Sequence, residues 1–339
     1  MDIRRVQQTG GSSYIITLPK QWIQQLNIKK NDPLQIHVQS DGSLLLSPKM
    51  SQDHEQRTKE FNTRSIQKPA YLLQRLIGAY IAGYTTLKIH SPSRISVEER
   101  NIIRSFTQLA IGPEVVEETD TSVTLKDLLN PTEMPLDRTL KRMHIIVKGM
   151  LEDAIKALET KDTDLANDVN SRDNDVDRLH WLVARQYNIL LQNINLSERM
   201  NITIEMASTC FLIGRIIERI GDHIVKITEH IPRLLDTNID ERTIHDLLDA
   251  NRLSLQIFNQ SITAFFKKDI NASNETIDLL KDLEDRCEKI NTLILKRKGS
   301  IALSVGYIVE STRRIGEYAE DISENVINYL VAEHPNEEK

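Results

Sequence analysis

Only two cysteines occur in the chain, Cys210 and Cys287, each inside a helical pattern and neither with a partner at metal-ligand spacing. A disulfide framework and a cysteine-based metal site are thereby excluded, and both thiols read as small buried apolar residues of a reducing compartment. No run approaches the roughly 18 uninterrupted apolar residues of a membrane helix, so the protein is not expected to be integral to a membrane. The segment Met1 to Ile16 is polar and strand-like and lacks the apolar stretch of a signal peptide, from which a cytoplasmic location is expected. Also missing are a phosphate loop, a dinucleotide-binding glycine pattern, and a Ser or Cys nucleophile motif with a base to activate it. No catalytic triad or acid–base pair stands out, and an enzyme is not expected.

What is present is an ordinary globular composition, 40% apolar and 27% charged, in 339 residues that have room for two or three cores. The net charge of −6 argues against a chain that binds nucleic acid along its whole length. Its distribution says more: residues 1–50 hold six Lys/Arg against three Asp/Glu, whereas residues 136–339 hold 27 against 35. Such asymmetry suggests a basic binding module joined to a body with another task.

Residues 1–50 read as strands around one short helix. Ser13–Leu18 is β-rich after the Gly10–Gly11 breaker, Pro19 opens a helical turn or two over Gln21–Leu26, and Asn31–Asp32–Pro33 is a turn. Leu34, Ile36 and Val38 alternate with polar residues, and Asp41–Gly42 turns the chain back through Leu44–Leu46. So few short strands bury little core, so folding with a partner is expected. Residues 51–57 read as a linker. Residues 58–132 read as a small α/β domain: a helix from Pro69 to Gly83, a strand from Thr85 to His90, a helix from Val97 to Ala110 with a Ser96/Glu99 capping box, and a hairpin of Val115–Glu118 with Ser122–Leu125. Beyond Pro135, glycine and proline become scarce and 3.6-residue periodicity predicts helices at 136–160, 163–192, 198–232, 240–268, 274–298 and 300–332.

This helical part repeats internally. Arg219–Ile220–Gly221–Asp222–His223 is echoed by Arg314–Ile315–Gly316–Glu317–Tyr318, and Asp173–Leu179 by Glu284–Ile290. Asp173 and Asp177 lie four apart on one helix face, as do Glu218 and Asp222 on the next helix. Brought together across two helices, these carboxylates would give hard oxygen donors for a divalent metal or iron. Arg178, Arg215, Arg219 and Lys226 are close enough in sequence for the alternative, a solvated ion-paired face, and spacing leaves both readings open. In the second copy Glu284 and Glu288 are present, with Glu317 and Asp321 as a further acidic pair, but Arg313 stands where the first copy has Glu218. Asp177-x-x-His180 looks like one element of a di-iron bundle without its paired second element, so His180 is expected at a surface or interface. In the basic module Arg4, Arg5, Ser12, Ser13 and Lys20 are the candidates for contact with a DNA backbone; a plain oligomerisation hairpin is the alternative.

The stretch Gly11–Trp22, with its Ile16–Thr17–Leu18–Pro19–Lys20 element, together with Ile28 and Asp41–Pro48, resembles the AbrB/SpoVT swapped-hairpin family, whose usual Gly-Asp turn is replaced here by Asn31–Asp32. The resemblance implies a homodimer through swapped hairpins that presents residues 1–50 to DNA. Residues 136–333 resemble PhoU, through Ile217–Glu229 and Arg314–Glu317. That resemblance implies two tandem three-helix bundles, at 136–232 and 236–333, regulating phosphate uptake with a phosphate transporter or signalling protein as partner. It also implies metal on Asp173, Asp177, Glu218 and Asp222. The chain departs from the PhoU motif at Lys226, where the motif has Asn, and at Arg313, where it has Glu. The combination is similar to archaeal PhoU-like regulators with an AbrB-type domain. The expected fold is mainly α, two bundles preceded by a small β swapped-hairpin domain and a small α/β segment. The expected function is a DNA-binding transcriptional regulator of phosphate homeostasis, with a transporter adaptor that does not bind DNA, or a metal-binding protein, as the alternatives.

Overall fold

The computed structural model describes residues 3–38, 42–47, 57–237, 239–295 and 299–333, the side chains of residues 194, 195, 198 and 300 excepted. The chain divides into two compact units, Met1–Gln56 and Arg57–Lys339.

In the first unit β1 (Gln7–Thr9) and β2 (Ser13–Ile15) pair antiparallel about Gly10 and Gly11, whose φ of 61° and 81° favour glycine. A one-and-a-half-turn helix, α1 (Lys20–Gln25), follows Pro19. Then β3 (Gln35–Val38) pairs antiparallel with β4 (Leu44–Ser47), Ile36 opposite Leu46. Asp41 of the expected turn, Pro48, and the expected linker up to residue 56 lie outside the described residues. No described residue of this unit is buried. Its apolar side chains stay in water, among them Ile3 at 83%, Tyr14 at 72% and Val38 at 76% exposed.

The second unit begins with a four-stranded sheet, β5 (Thr58–Asn62), β6 (Thr86–His90), β7 (Pro113–Glu118) and β8 (Ser122–Asp127), ordered β5-β6-β8-β7. Only the β5/β6 pair is parallel, joined through α2 (Ala70–Ile81). Alternate residues Leu87, Ile89, Val123 and Leu125 face Leu72, Leu76 and Tyr80 of α2 and Ile103 and Phe106 of α3 (Val97–Leu109) in a closed core. The Ser96/Glu99 capping box forms as expected, each side chain satisfying the other's backbone N–H. The sequence shows no strand at β5 because only Phe61 of its five residues is buried.

Six long helices follow: α4 (Leu136–Thr160), α5 (Thr163–Gln192), α7 (Ile204–Leu235), α8 (Glu241–Lys267), α9 (Ile270–Ile294) and α10 (Ser300–Glu333), with the short α6 (Ile194–Met200) between α5 and α7. The helix expected over 198–232 is therefore divided. Asn201 takes a left-handed φ of 50°, and the Thr203 side chain accepts from the Met206 N–H, so α7 starts afresh at Ile204. The bundles α4-α5-α7 and α8-α9-α10 share one continuous core, with α7 against α10 as the most extensive helix contact.

The turns expose the repeat. Lys161 and Lys268 both end their helices in the left-handed region, and Asp162 and Asp269 both cap the next helix, accepting from Leu165 and Ala272. This register places Leu280 where the first bundle has Asp173, Leu283 where it has Val176, and Glu284 where it has Asp177. The buried positions agree: Thr276, Leu283 and Ile290 of α9 match Val169, Val176 and Val183 of α5. The sequence echo Asp173–Leu179 with Glu284–Ile290 is thus one helical turn out. Its cause is that charged residues on an outer face repeat easily, whereas the core residues that set the register are small and inconspicuous.

The α/β sheet docks on the C-terminal half of α5 through a buried charge. Arg185 is 2% exposed; its guanidinium lies 2.6 Å from the Asp127 carboxylate, donates to the Tyr80 and Tyr84 carbonyls and stacks over the Tyr80 ring. Next to it the Gln186 amide donates to the Met134 carbonyl, and Trp181 packs on the sheet core.

Candidate acidic site and nucleic-acid face

Asp173 and Asp177 come from α5, Glu218 and Asp222 from α7, and the structure brings all four into one electrostatic cluster. Gly221 lies where the two helices meet: a Cβ there would sit 3.5 Å from Asp173 Oδ1, with Val176 and Val147 slightly farther, all at ordinary van der Waals distance. That same Asp173 oxygen is buried and has no hydrogen-bond partner. Burial, followed by the charges of Asp222, Asp177 and Asp173, pushes the Glu218 carboxyl up to about 7. Burial with Asp173 and Asp222 pushes Asp177 up to about 6. Asp173 is raised by burial and by Asp222; Asp222 is raised by burial against the opposing pull of Lys226 and Arg219. His180, one turn along α5, is half-buried, and burial with the Arg215 charge lowers it to about 4, so the ring is neutral.

This arrangement chiefly concentrates negative charge that water and neighbouring cations only partly offset. The donor chemistry, all carboxylate oxygen, suits a hard divalent cation or iron. The spacing does not close on one: among the described residues no three His, Cys, Asp or Glu side chains are grouped so as to hold a metal ion.

The second bundle is built differently at the matching place. Glu284, Glu288 and Asp321 are exposed, and Leu280 and Leu283 cover Gly316. Arg313 pairs with Glu310 and Glu317, and Arg314 with the same two carboxylates. The expected acidic set Glu284, Glu288, Glu317 and Asp321 therefore does not repeat the first at the matching positions; Glu284, Glu317 and Asp321, with Glu324, instead act together on Glu320, whose carboxyl burial and these charges raise. Glu288 sits a turn beyond the position that matches Asp177, and Glu317 is already paired.

The two glycines give a direct test of this asymmetry. At Gly316 a Cβ would fall 2.3 Å from Leu283 Cδ2 and 3.1 Å from Leu280 Cδ1, whereas at Gly221 every contact is of ordinary van der Waals length. Gly316→Ala should destabilise by about 1–2 kcal/mol after the helix-propensity gain is subtracted. Gly221→Ala should be neutral or stabilising by up to about 1 kcal/mol. Urea unfolding of both variants measures the difference, and equal effects would contradict the packing described.

In the first unit Arg4, Arg5, Ser12, Ser13 and Lys20 are all exposed, with both serines beside the Gly10–Gly11 turn and Lys20 opening α1.

The PhoU domain model matches residues 140–231 and 247–326, and the model of antidote-toxin recognition MazE, bacterial antitoxin, matches residues 7–53. A phosphate-specific transport system accessory protein PhoU homolog 1 from Thermotoga maritima is 26% identical over 205 residues, 57% of this chain and 84% of that protein. A PhoU homolog from Caulobacter vibrioides is 34% identical over 96 residues, 28% of this chain and 39% of that protein. Among solved structures, PhoU from Pseudomonas aeruginosa aligns with a TM-score of 0.53 at 20% identity, covering 58% of this chain and 96% of that one.

Proposed function

The chain belongs to the PhoU family, and from that premise we propose that it is a regulator of phosphate transport whose amino-terminal module binds DNA as an intertwined homodimer. The matched helical repeat and the phosphate-transport relative support the first half of this reading. One observation carries the second: among its described residues the module has four strands and a helix, no buried residue, and ten large apolar side chains in water. Such a chain does not bury enough apolar surface alone to offset its conformational entropy, and a second copy supplying the missing core resolves this. The match to an antitoxin recognition domain agrees with a dimeric, DNA-facing module. Arg4, Arg5 and Lys20 supply the cations, and Ser12 and Ser13 are hydroxyl donors that suit a phosphate backbone. The helical body is the sensory part, with the acidic cluster of its first bundle as the element that responds to ions and a transporter or signalling protein as its partner.

Duplex binding measured against salt tests the DNA role. A dimer loses four arginines in the Arg4→Ala/Arg5→Ala variant, so the log–log salt slope should become shallower by roughly 3 to 4. An unchanged slope and affinity would assign the module to dimerisation alone and favour the adaptor reading. Sedimentation of the intact chain should give a dimer, and a monomer at micromolar concentration would remove the basis of the proposal.

A further inference from the structure

We propose that the second bundle carries its own fixed cation: the Arg313 guanidinium neutralises from within the face that in the first bundle is left acidic, so that the place matching the first-bundle cluster neither needs nor accepts a metal ion. The proposal deepens the reading of the first-bundle cluster as an ion-responsive element.

The two third helices match through their Arg-Ile-Gly-acid motifs, Arg219 on Arg314 and Asp222 on Glu317. In that register two positions exchange charge. Arg215 of α7 becomes Glu310 on α10, and Glu218 becomes Arg313. The exchange is not a swap of surface decoration, because it turns a gathered set of carboxylates into a closed network. Arg313 reaches back to Glu310 at 2.8 Å and forward to Glu317, while Arg314 lies 3.0 Å from Glu310 and 3.1 Å from Glu317. Guanidinium groups suit this task, presenting several planar donors that a metal ion's partners would otherwise have to find elsewhere.

The facing helix has changed to match. Asp173, whose unpartnered oxygen overlies Gly221, is replaced by Leu280, and Leu280 with Leu283 fills the space over Gly316. Of the four first-bundle carboxylate positions, only those of Glu284 and Glu317 remain acidic, and Glu284 is exposed on α9. At Glu310 the electrostatics agrees with the geometry, while a turn or so farther along α10 burial with Glu324, Asp321, Glu284 and Glu317 raises the Glu320 carboxyl outside the reach of this network. Burial pushes the Glu310 carboxyl up, but the hydrogen bonds and charges of Arg313 and Arg314 outweigh it and hold the group below the usual range, the reverse of Glu218.

Thermal melting of the intact chain with and without Mn2+ tests the inference. Arg313→Gln should melt roughly 2–4 °C lower than wild type at low ionic strength, because Glu310 and Glu317 are then left to Arg314 alone. Mn2+ should return part of that loss, because the freed carboxylates then have a cation to bind. Arg313→Lys keeps the charge and should melt within about 2 °C of wild type, and it serves if the glutamine variant does not fold. Glu317→Gln should leave whatever Mn2+ response the wild type has unchanged. Loss of that response in Glu317→Gln would place a metal in the second bundle and overturn the proposal. So would wild-type melting of Arg313→Gln. A wild type that ignores Mn2+ altogether would count against the first-bundle reading while leaving the Arg313 comparison intact.

Discussion

Arg185→Met should destabilise the protein by about 3–5 kcal/mol. The reason lies in what the variant leaves behind rather than in what it removes. Asp127 loses the guanidinium 2.6 Å from its carboxylate in a place where its side chain is only 6% exposed. The Tyr80 and Tyr84 carbonyls lose a donor, although Asp127 keeps the Leu129 N–H at 3.0 Å. A buried charge stripped of its partner retains the full desolvation cost, whereas replacing both partners removes it. Arg185→Met/Asp127→Leu should therefore recover much of the loss. The recovery will be incomplete, because Gly112 closes on Asp127 so tightly that a Cβ there would fall 2.2 Å from the carboxylate, leaving little room for a branched side chain. Chemical denaturation followed by far-ultraviolet circular dichroism measures both variants. If the double variant is no more stable than the single, the coupling between α5 and the sheet is not electrostatic.

That ion pair also marks where the sequence stopped being legible. Arg185 sits in the run Trp181–Leu182–Val183–Ala184–Arg185–Gln186–Tyr187, and a charge in so apolar a stretch signals an unusual environment. Nothing local names Asp127 as its partner, because the pairing depends on how the sheet docks. Local features fared better. The bounds of α4 and α5 follow from Pro135, the Lys161–Asp162 turn and sustained periodicity, and the capping box fixed the start of α3. The break between α6 and α7 was hidden because Leu196, Met200 and Ile204 keep a helical spacing across it. The first-bundle carboxylates were readable as i,i+4 pairs, and Gly221 within the repeated motif lies against one of them, Asp173. The second-bundle set was misread because acidic residues on a solvated face repeat by chance more readily than Thr276, Leu280 and Leu283 in a core.

The acidic cluster should lower the stability of the wild-type protein as pH rises from about 5 to about 8, opposed below about 6.5 by His180 and His223, which burial holds near 4. Glu218 is held at about 7 against an ordinary 4.5, and Asp177 at about 6 against 3.8, so in this window the folded chain binds protons that the unfolded chain has released. Linkage then requires that each pH unit upward favours the unfolded state until both groups are ionised in the folded one. A shift of Glu218's size corresponds to roughly 3 kcal/mol, which partial solvent access reduces to about 1–2 kcal/mol. Glu218→Gln cannot ionise. It should be more stable than wild type by that amount at pH 8, and the difference should vanish near pH 5, where the native carboxyl is already protonated. Urea midpoints at the two pH values decide the matter, and a stability difference independent of pH would mean that the glutamate acts through packing instead. The sign has a consequence for function. A cluster that costs stability when ionised is one that a bound proton or cation relieves, so whatever neutralises this face also tightens α5 against α7. Because α5 carries the buried Arg185 eight residues beyond Asp177, relief at the acidic face and the seat of the α/β sheet lie on one rigid helix. If the linkage holds, hydrogen-exchange protection around Tyr80 and Tyr84 should rise in wild type on going from pH 8 to pH 6, once corrected for the intrinsic exchange rate, and should stay flat in Glu218→Gln.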